Sequence, residues 1–387
     1  MTENSFATVL GEDSLTEAVR GKNIALMVNS TAITKDGGDL IDMLYDSGAC
    51  KISFIFGMEH GVRCTHSAGE RDTVPCDEKT GIPIIDLYEY PERRPPVEPL
   101  RTVDAVVYST QDAGVRHWTF TPWLFYLMDS AAEAGCPVII LDRPNPLGGV
   151  IVEGNLCEQT YKNTLLSGFG YPLRHGMTVG ELALMYKDES GLSLDLTVIP
   201  MSGWKREMLY PETGLIWRSP TPNIITPDTF FDFAICGLLQ SSDISLGDNT
   251  GKPFGFIGRP EFDGERLAAE LNSRGLADVR FKAAKHVTST RWEREILFEA
   301  SGVEWEYEDK KTARPVRAQL HLIDAIAKLY SDFVRLEYKP FWARKRMGCD
   351  DIYNLIEKGE SVTSLIPKWE EDSRIFEKRR KPYLLYG

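Results

Sequence analysis

From residue 22 onward the chain alternates short, nearly unbroken apolar runs with segments whose apolar positions recur at helical spacing. "NIALMVNS" predicts a strand, "DLIDMLYDSG" a helix ended by Gly48, and "KISFIFG" the next strand. After "GIPIIDLY" come "VDAVVYS", a long apolar helix through "PWLFYLMDSAAEAG", and "CPVIILD". The helix "TVGELALMYKDES" and the strand "LDLTVIPM" continue the series. Strands made almost wholly of Val, Ile and Leu belong in a parallel sheet covered by helices on both faces, since a wet face would demand alternating polar residues. Residues 1–205 are therefore expected to form a doubly wound α/β domain.

Around residue 205 the periodicity breaks. "GWKREMLYPETGLIWRSPTPNIITPDT" is rich in Pro, Gly and Trp and reads as a crossing segment. Residues 206–387 then read as a smaller mixed α+β domain. It has a possible strand at "FAICGLL", a loop "SSDISLGDNTGKPFG", a helix "DGERLAAELNSRG", and a helix with Leu320, Ile323, Ile326 and Leu329 on one stripe.

Composition removes several function classes. A length of 387 residues suits two or three folded units, and 42% hydrophobic with 26% charged residues suits a globular chain. A net charge of -13 opposes nucleic-acid binding, because phosphate backbones require clustered Lys and Arg. No apolar run approaches the ~18 residues of a membrane span, and no signal-peptide pattern opens the chain. The 7 cysteines are odd in number and lack CxxC spacing, which suits a reducing compartment. A cytoplasmic protein without nucleic-acid or membrane partners is the expectation.

Three polar clusters share one topological address. "GMEHGVR", "STQDAGVRHW" and "DRPNPLGG" each follow an expected strand, and in open α/β sheets ligands bind beyond the carboxyl ends of the strands. A crevice there would gather Glu59, His60, Arg63, Glu70, Gln111, Asp112, Arg116, Asp142, Arg143 and Asn145, with Glu153 arriving on "GGVIVEG". Carboxylates, amides and arginines without an activated thiol or serine point to acid/base chemistry on a polar, polyhydroxylated substrate. No GxGxxG or GxxxxGK[ST] follows the first strand, so no nucleotide cofactor is expected. His60, Cys64, His66 and Glu70 match no established metal-ligand spacing, and nothing implies a lowered thiol pKa at Cys64. In "YPLRHGMTVGEL", Thr178 and Glu181 form a Thr-x-x-Glu capping box and are expected to be structural. Arg174 and His175, just ahead of that helix, are better placed for a ligand, an arginine being suited to a carboxylate by paired hydrogen bonds.

"MEHGVR", "AGE", "QDAGVR", "LDRPNPLGG", "VEG", "RHGMTVGELA", the "SP" and "TPN" of "RSPTPN", and "RRKPYLLY" resemble the exo-β-N-acetylmuramidases, a glycoside hydrolase family, from about residue 22 to the end. The resemblance implies a Rossmann-like first domain and a mixed second domain with a barrel-like sheet. It further implies a cleft that releases N-acetylmuramic acid from the non-reducing end of peptidoglycan fragments. It assigns Glu59 as general acid, with Glu153 or Glu70 as partner. Arg116, Arg143 or Arg174 would hold the lactyl carboxylate, and Gln111, Asp112, Asn145 and His175 the hydroxyl and acetamido groups; Asn223 comes from "TPN".

The chain departs from that pattern in its second half. Gln240, Asp243 and Asp248 stand where the family pattern carries Glu, Asn and Arg, and Ser109 stands for an Asp. A lost Arg and a gained Asp would disfavour an anionic sugar if that loop faced the cleft. An alternative therefore stands beside the muramidase reading: a divergent member acting on another sugar-derived or biosynthetic substrate, or binding sugar without turnover.

Overall fold

The computed structural model describes residues 8–64, 74–332 and 334–387. Six strands, β1 (Asn23–Val28), β2 (Lys51–Gly57), β3 (Ile84–Asp86), β4 (Ala105–Ser109), β5 (Val138–Leu141) and β6 (Leu196–Ile199), form one sheet in the order β3-β2-β1-β4-β5-β6. Every pairing in it is parallel. β1 and β4 are buried on both faces, as continuous apolar runs require. The order reverses between β1 and β4, so the crevice that such a sheet offers a ligand opens beyond their carboxyl ends.

The helices begin and stop where local chemistry dictates. Asp39 caps Leu40–Ser47 through the Ile41 N–H, and Gly48 ends that helix at φ 60. Thr178 and Glu181 close a reciprocal capping box on Val179–Glu189, as expected. Phe120–Ala134 is buried along most of its length between sheet and second half.

A three-stranded antiparallel sheet, β7 (Phe256–Arg259), β8 (Val279–Thr290) and β9 (Glu293–Tyr307), follows in the order β7-β9-β8. β8 and β9 form a long hairpin whose terminal pair is Thr290 with Glu293, leaving Arg291 and Trp292 as its turn. "FAICGLL", expected as a strand, lies in the helix Thr229–Cys236 and the 3-10 turn Gly237–Ser241. A short apolar run is compatible with either a buried strand or a buried helix, and here packing against the helix Pro315–Tyr330 decides for helix.

Both halves share one core. A single buried cluster holds Met27, Tyr108 and Val152 together with Phe231, Leu320 and Trp369. The chain end also returns to the first half: Arg380 donates to the carbonyls of Gly149 and Gly176, and the Tyr386 hydroxyl donates to Asp142 Oδ2 at 2.6 Å.

Candidate active site

β2 delivers Glu59 and His60 two and three residues past its last residue, Gly57. His60 and Gly61 both take left-handed backbone conformations, φ 70 and 76, which turn the chain sharply there. For a non-glycine residue that conformation is strained, and strain of this kind concentrates at functional sites. Glu59 is half-buried, and its Oε2 accepts a hydrogen bond of 2.7 Å from Thr119 Oγ1. Thr119 occupies the N-cap of Phe120–Ala134 but makes no side-chain cap bond, so its hydroxyl serves the carboxylate instead.

Glu59 faces a cleft of about 700 Å³. One wall comes from the loop after β4, with His117, Trp118 and Phe120; the crossing segment adds Thr221 and Asn223. The Trp118 indole is held edge-on against Phe120, Phe230 and Phe233 at 5.1, 5.5 and 5.8 Å between centroids, and donates to the Gln111 carbonyl at 3.2 Å. Gly237 presses on the His117 ring so closely that an added Cβ would meet Nε2 at 2.3 Å. Burial, aided by the charges of Arg346 and Arg116, holds the His117 pKa well below its ordinary value, so the ring is neutral.

The opposite wall is built by the second half. Gln240, Phe254, the hairpin residues from Arg291 to Ile296, Trp342 and Arg346 line it. Trp292 Nε1 donates to the Gln240 carbonyl at 2.8 Å and ties the hairpin turn into that wall. Arg346 is 7% exposed; its Nη1 donates to Ser241 Oγ at 2.6 Å and its Nε is buried without a partner. Burial, with the charge of Arg291 beside it, pushes the Arg346 pKa down to about 10. Burial also lowers Arg291, opposed by Asp248, and Arg291 Nη1 is likewise buried without a partner.

The structure brings Glu59, His60 and Asn223 together on this cleft and places the other expected site residues among those described elsewhere. Arg63 lies behind the β2 loop, paired with Asp39 at 2.9 Å, Asp42 at 3.0 Å and Asp77 at 2.8 Å. Gln111 donates to the carbonyls of Asp112 and Pro144, and Asp112 accepts from Gly114 N–H and Thr121 Oγ1. The ring of buried His175 stands 3.3 Å from Asp112 Oδ2 and accepts from the Met177 N–H. Arg116 spends its guanidinium on the carbonyls of Asn155, Tyr171 and Met347. Arg143 donates to Ser109 Oγ and the Ile33 carbonyl, and Asn145 joins Met177 to Leu147. Asp142 accepts from Arg143 N–H, Gly180 N–H, Thr178 Oγ1 and Tyr386. These side chains hold the loops in shape because backbone polar groups buried beneath a sheet edge need partners that the ladder cannot supply.

Glu153 and Arg174 form a buried pair, 3.2 Å apart and 7% and 1% exposed, and Glu153 lines a second groove of about 430 Å³ with Trp369 and Arg314. Glu70 and His66 lie outside the described residues. Among the described residues no group of three or more His, Cys, Asp or Glu side chains is set to hold a metal ion. The sequence reading missed His117, Trp118 and Thr119, which continue the "QDAGVR" loop it had singled out. It also missed the Arg291-to-Glu295 hairpin tip, whose one local signal is a tryptophan among alternating charges in "TRWERE".

A framework-held carboxylate, aromatic walls and buried cations beside the carboxyl edge of a doubly wound sheet define an enzyme that handles a polar ring substrate by acid/base chemistry. Comparison with known proteins makes the class specific. Residues 24–228 match the model of the N-terminal domain of exo-β-N-acetylmuramidase NamZ, and residues 232–386 that of its C-terminal domain. The chain is 36% identical over 369 residues, 95% of its own length and 88% of the relative's, to the peptidoglycan β-N-acetylmuramidase NamZ of Bacillus subtilis. A crystal structure of a DUF1343 family protein from Bacteroides fragilis superposes with a TM-score of 0.89 at 29% identity, covering 99% of this chain and 100% of that one. A second from the same organism gives 0.73 at 25%, covering 98% and 99%. The chain belongs to the exo-β-N-acetylmuramidase family of glycoside hydrolases.

Proposed function

We propose that this cleft removes N-acetylmuramic acid from the non-reducing end of peptidoglycan fragments, with Glu59 donating the proton to the leaving glycosidic oxygen. The observation that carries the reading is the fixing of Glu59 in the cleft by Thr119 Oγ1 at 2.7 Å. Glycoside hydrolysis takes a second carboxylate to serve water or attack the anomeric carbon. Glu293 and Glu295 on the hairpin line the same cleft, and Glu70 keeps its sequence claim to the role. Trp118 offers an apolar edge to a sugar ring, and Asn223 a hydrogen-bonding amide. Residues 1–205 would carry the acid and residues 206–387 would close the cleft. Among the described residues no helix is long and apolar enough to cross a membrane. All seven cysteines are free, which supports a reducing, cytoplasmic setting.

The test is release of 4-nitrophenol from its β-N-acetylmuramide by wild type and Glu59→Gln. Loss of about 10²- to 10⁴-fold in kcat/KM in the variant, with melting unchanged, is expected of a missing general acid. Gln240 lines the cleft where the family pattern has a carboxylate, and this favours a second reading, sugar binding without turnover. That reading predicts no release by wild type together with a raised melting temperature in N-acetylmuramic acid.

A further inference from the structure

We propose that Arg346 and Arg291 form the subsite that selects the lactyl carboxylate of the substrate, the group that distinguishes muramic acid from glucosamine. The assignment rests on the muramidase reading above and names the residues that make its specificity. Arg116, Arg143 and Arg174, the sequence candidates, lie off the cleft and donate to backbone carbonyls.

Arg346 and Arg291 are in the opposite condition. Both line the cleft, each keeps a buried guanidinium nitrogen without a partner, and neither forms an ion pair among the described residues. Ser241 Oγ orients Arg346 without neutralising it. The charge of Arg291 opposes that of Arg346, and although Asp248 acts on Arg291, neither guanidinium has an ion-pair partner among the described residues to offset its desolvation. An incoming carboxylate removes both penalties and can accept paired, charge-assisted hydrogen bonds from a guanidinium fork.

Position supports the same ligand. Both arginines line the same cleft as the proposed proton donor, Glu59. In muramic acid the lactyl ether is carried on C3 and the scissile bond on C1, with only C2 between them. A carboxylate bound by the arginines therefore puts the glycosidic oxygen in the cleft that Glu59 lines. Arg93 and Arg294 on the rim bring the lining to four arginines against three glutamates. The cleft thus attracts an anion although the chain as a whole carries -13.

The experiment compares 4-nitrophenyl β-N-acetylmuramide, its lactyl methyl ester and the β-N-acetylglucosaminide on wild type, Arg346→Gln, Arg346→Lys and Arg291→Gln. Wild type should prefer the acid to the ester by about 100-fold in kcat/KM, as for a buried polar group left unpaired by the wrong substrate. The ratio should fall to within about threefold of unity in Arg346→Gln, chiefly through KM, partly recover in Arg346→Lys, and fall about tenfold in Arg291→Gln. An acid-to-ester ratio unchanged in both glutamine variants, or acid and ester turnover falling together, overturns the proposal. If Arg346→Gln fails to fold, Arg291→Gln at the hairpin turn decides alone. Wild type that cleaves none of the three removes the hydrolase reading, and calorimetry then judges the subsite separately. A preference of at least about tenfold for N-acetylmuramic acid over N-acetylglucosamine that is lost in Arg291→Gln upholds it, and equal binding overturns it.

Discussion

Glu153 resembles a family glutamate yet sits in an ion pair behind the cleft, so Glu153→Gln separates scaffold from chemistry. The carboxylate faces Arg174 Nη1 at 3.2 Å and accepts the Arg317 N–H at 3.2 Å. The backbones of Glu153 and Arg174 are also bonded in both directions, at 3.0 and 2.9 Å. Gln keeps shape and a carbonyl acceptor but removes the negative charge. Breaking a buried pair by removing one partner costs about 3–5 kcal/mol, since the survivor stays charged and desolvated. The lower end applies here, because the Ala313 and Leu147 carbonyls still accept from Arg174 at 2.9 and 2.6 Å. A loss of about 3 kcal/mol corresponds to a melting shift of roughly 4 °C in a chain of this length. Circular dichroism melts and muramide turnover should be measured on the same preparations. The expected result is a lowered melting temperature with kcat at 25 °C within about threefold of wild type. An unchanged melting temperature with turnover gone would refute the reasoning and place Glu153 at the reacting bond.

Two further outcomes follow from the framework of the site. Thr119→Val removes the hydroxyl that holds Glu59 and should lower kcat by about tenfold, the worth of one hydrogen bond, with Thr119→Ser restoring it; equal rates in all three proteins would show that Glu59 needs no such support. Burial raises the Asp142 pKa from 3.8 to about 6 despite its bonds from Thr178, Tyr386 and Gly180. Because the native carboxyl holds its proton more tightly than the unfolded one, its contribution to stability is fully present below pH 3.8 and lost as pH rises towards 6. The loss amounts to about 3 kcal/mol by the linkage of pKa to stability. Denaturant titrations of wild type and Asp142→Asn between pH 4 and 6.5 should diverge in that direction, and parallel curves would sink the assignment.

The first half was legible because its strands are buried on both faces and its helices carry their own stop signals. Continuous apolar runs admit few alternatives to a parallel sheet, and Asp39, Gly48 and the Thr178–Glu181 box mark boundaries by local hydrogen bonding alone. "FAICGLL" had no such marker, and only its packing partner Pro315–Tyr330 settled it as helix.

For the site, the motifs identified the loops but not which side chains they turn inward. "QDAGVR", "DRPNPLGG" and "RHG" are dense in polar residues because those loops must satisfy one another's buried backbone groups. Their arginines and carboxylates therefore mostly face the framework. The cationic wall was invisible for a different reason. Arg291 and Arg346 lie 55 residues apart by their numbering and meet at the cleft only because the β8–β9 hairpin turn and the helix Pro340–Met347 both reach it. The charge reversal expected at Asp248 likewise falls within the loop, where it opposes the burial of Arg291 while the cleft keeps its positive lining. Sequence alone determined the doubly wound sheet and the address of Glu59, because periodicity and caps act within a few residues. Tertiary structure decided the electrostatics facing the substrate, because desolvation and pairing depend on which distant residues arrive at the same place.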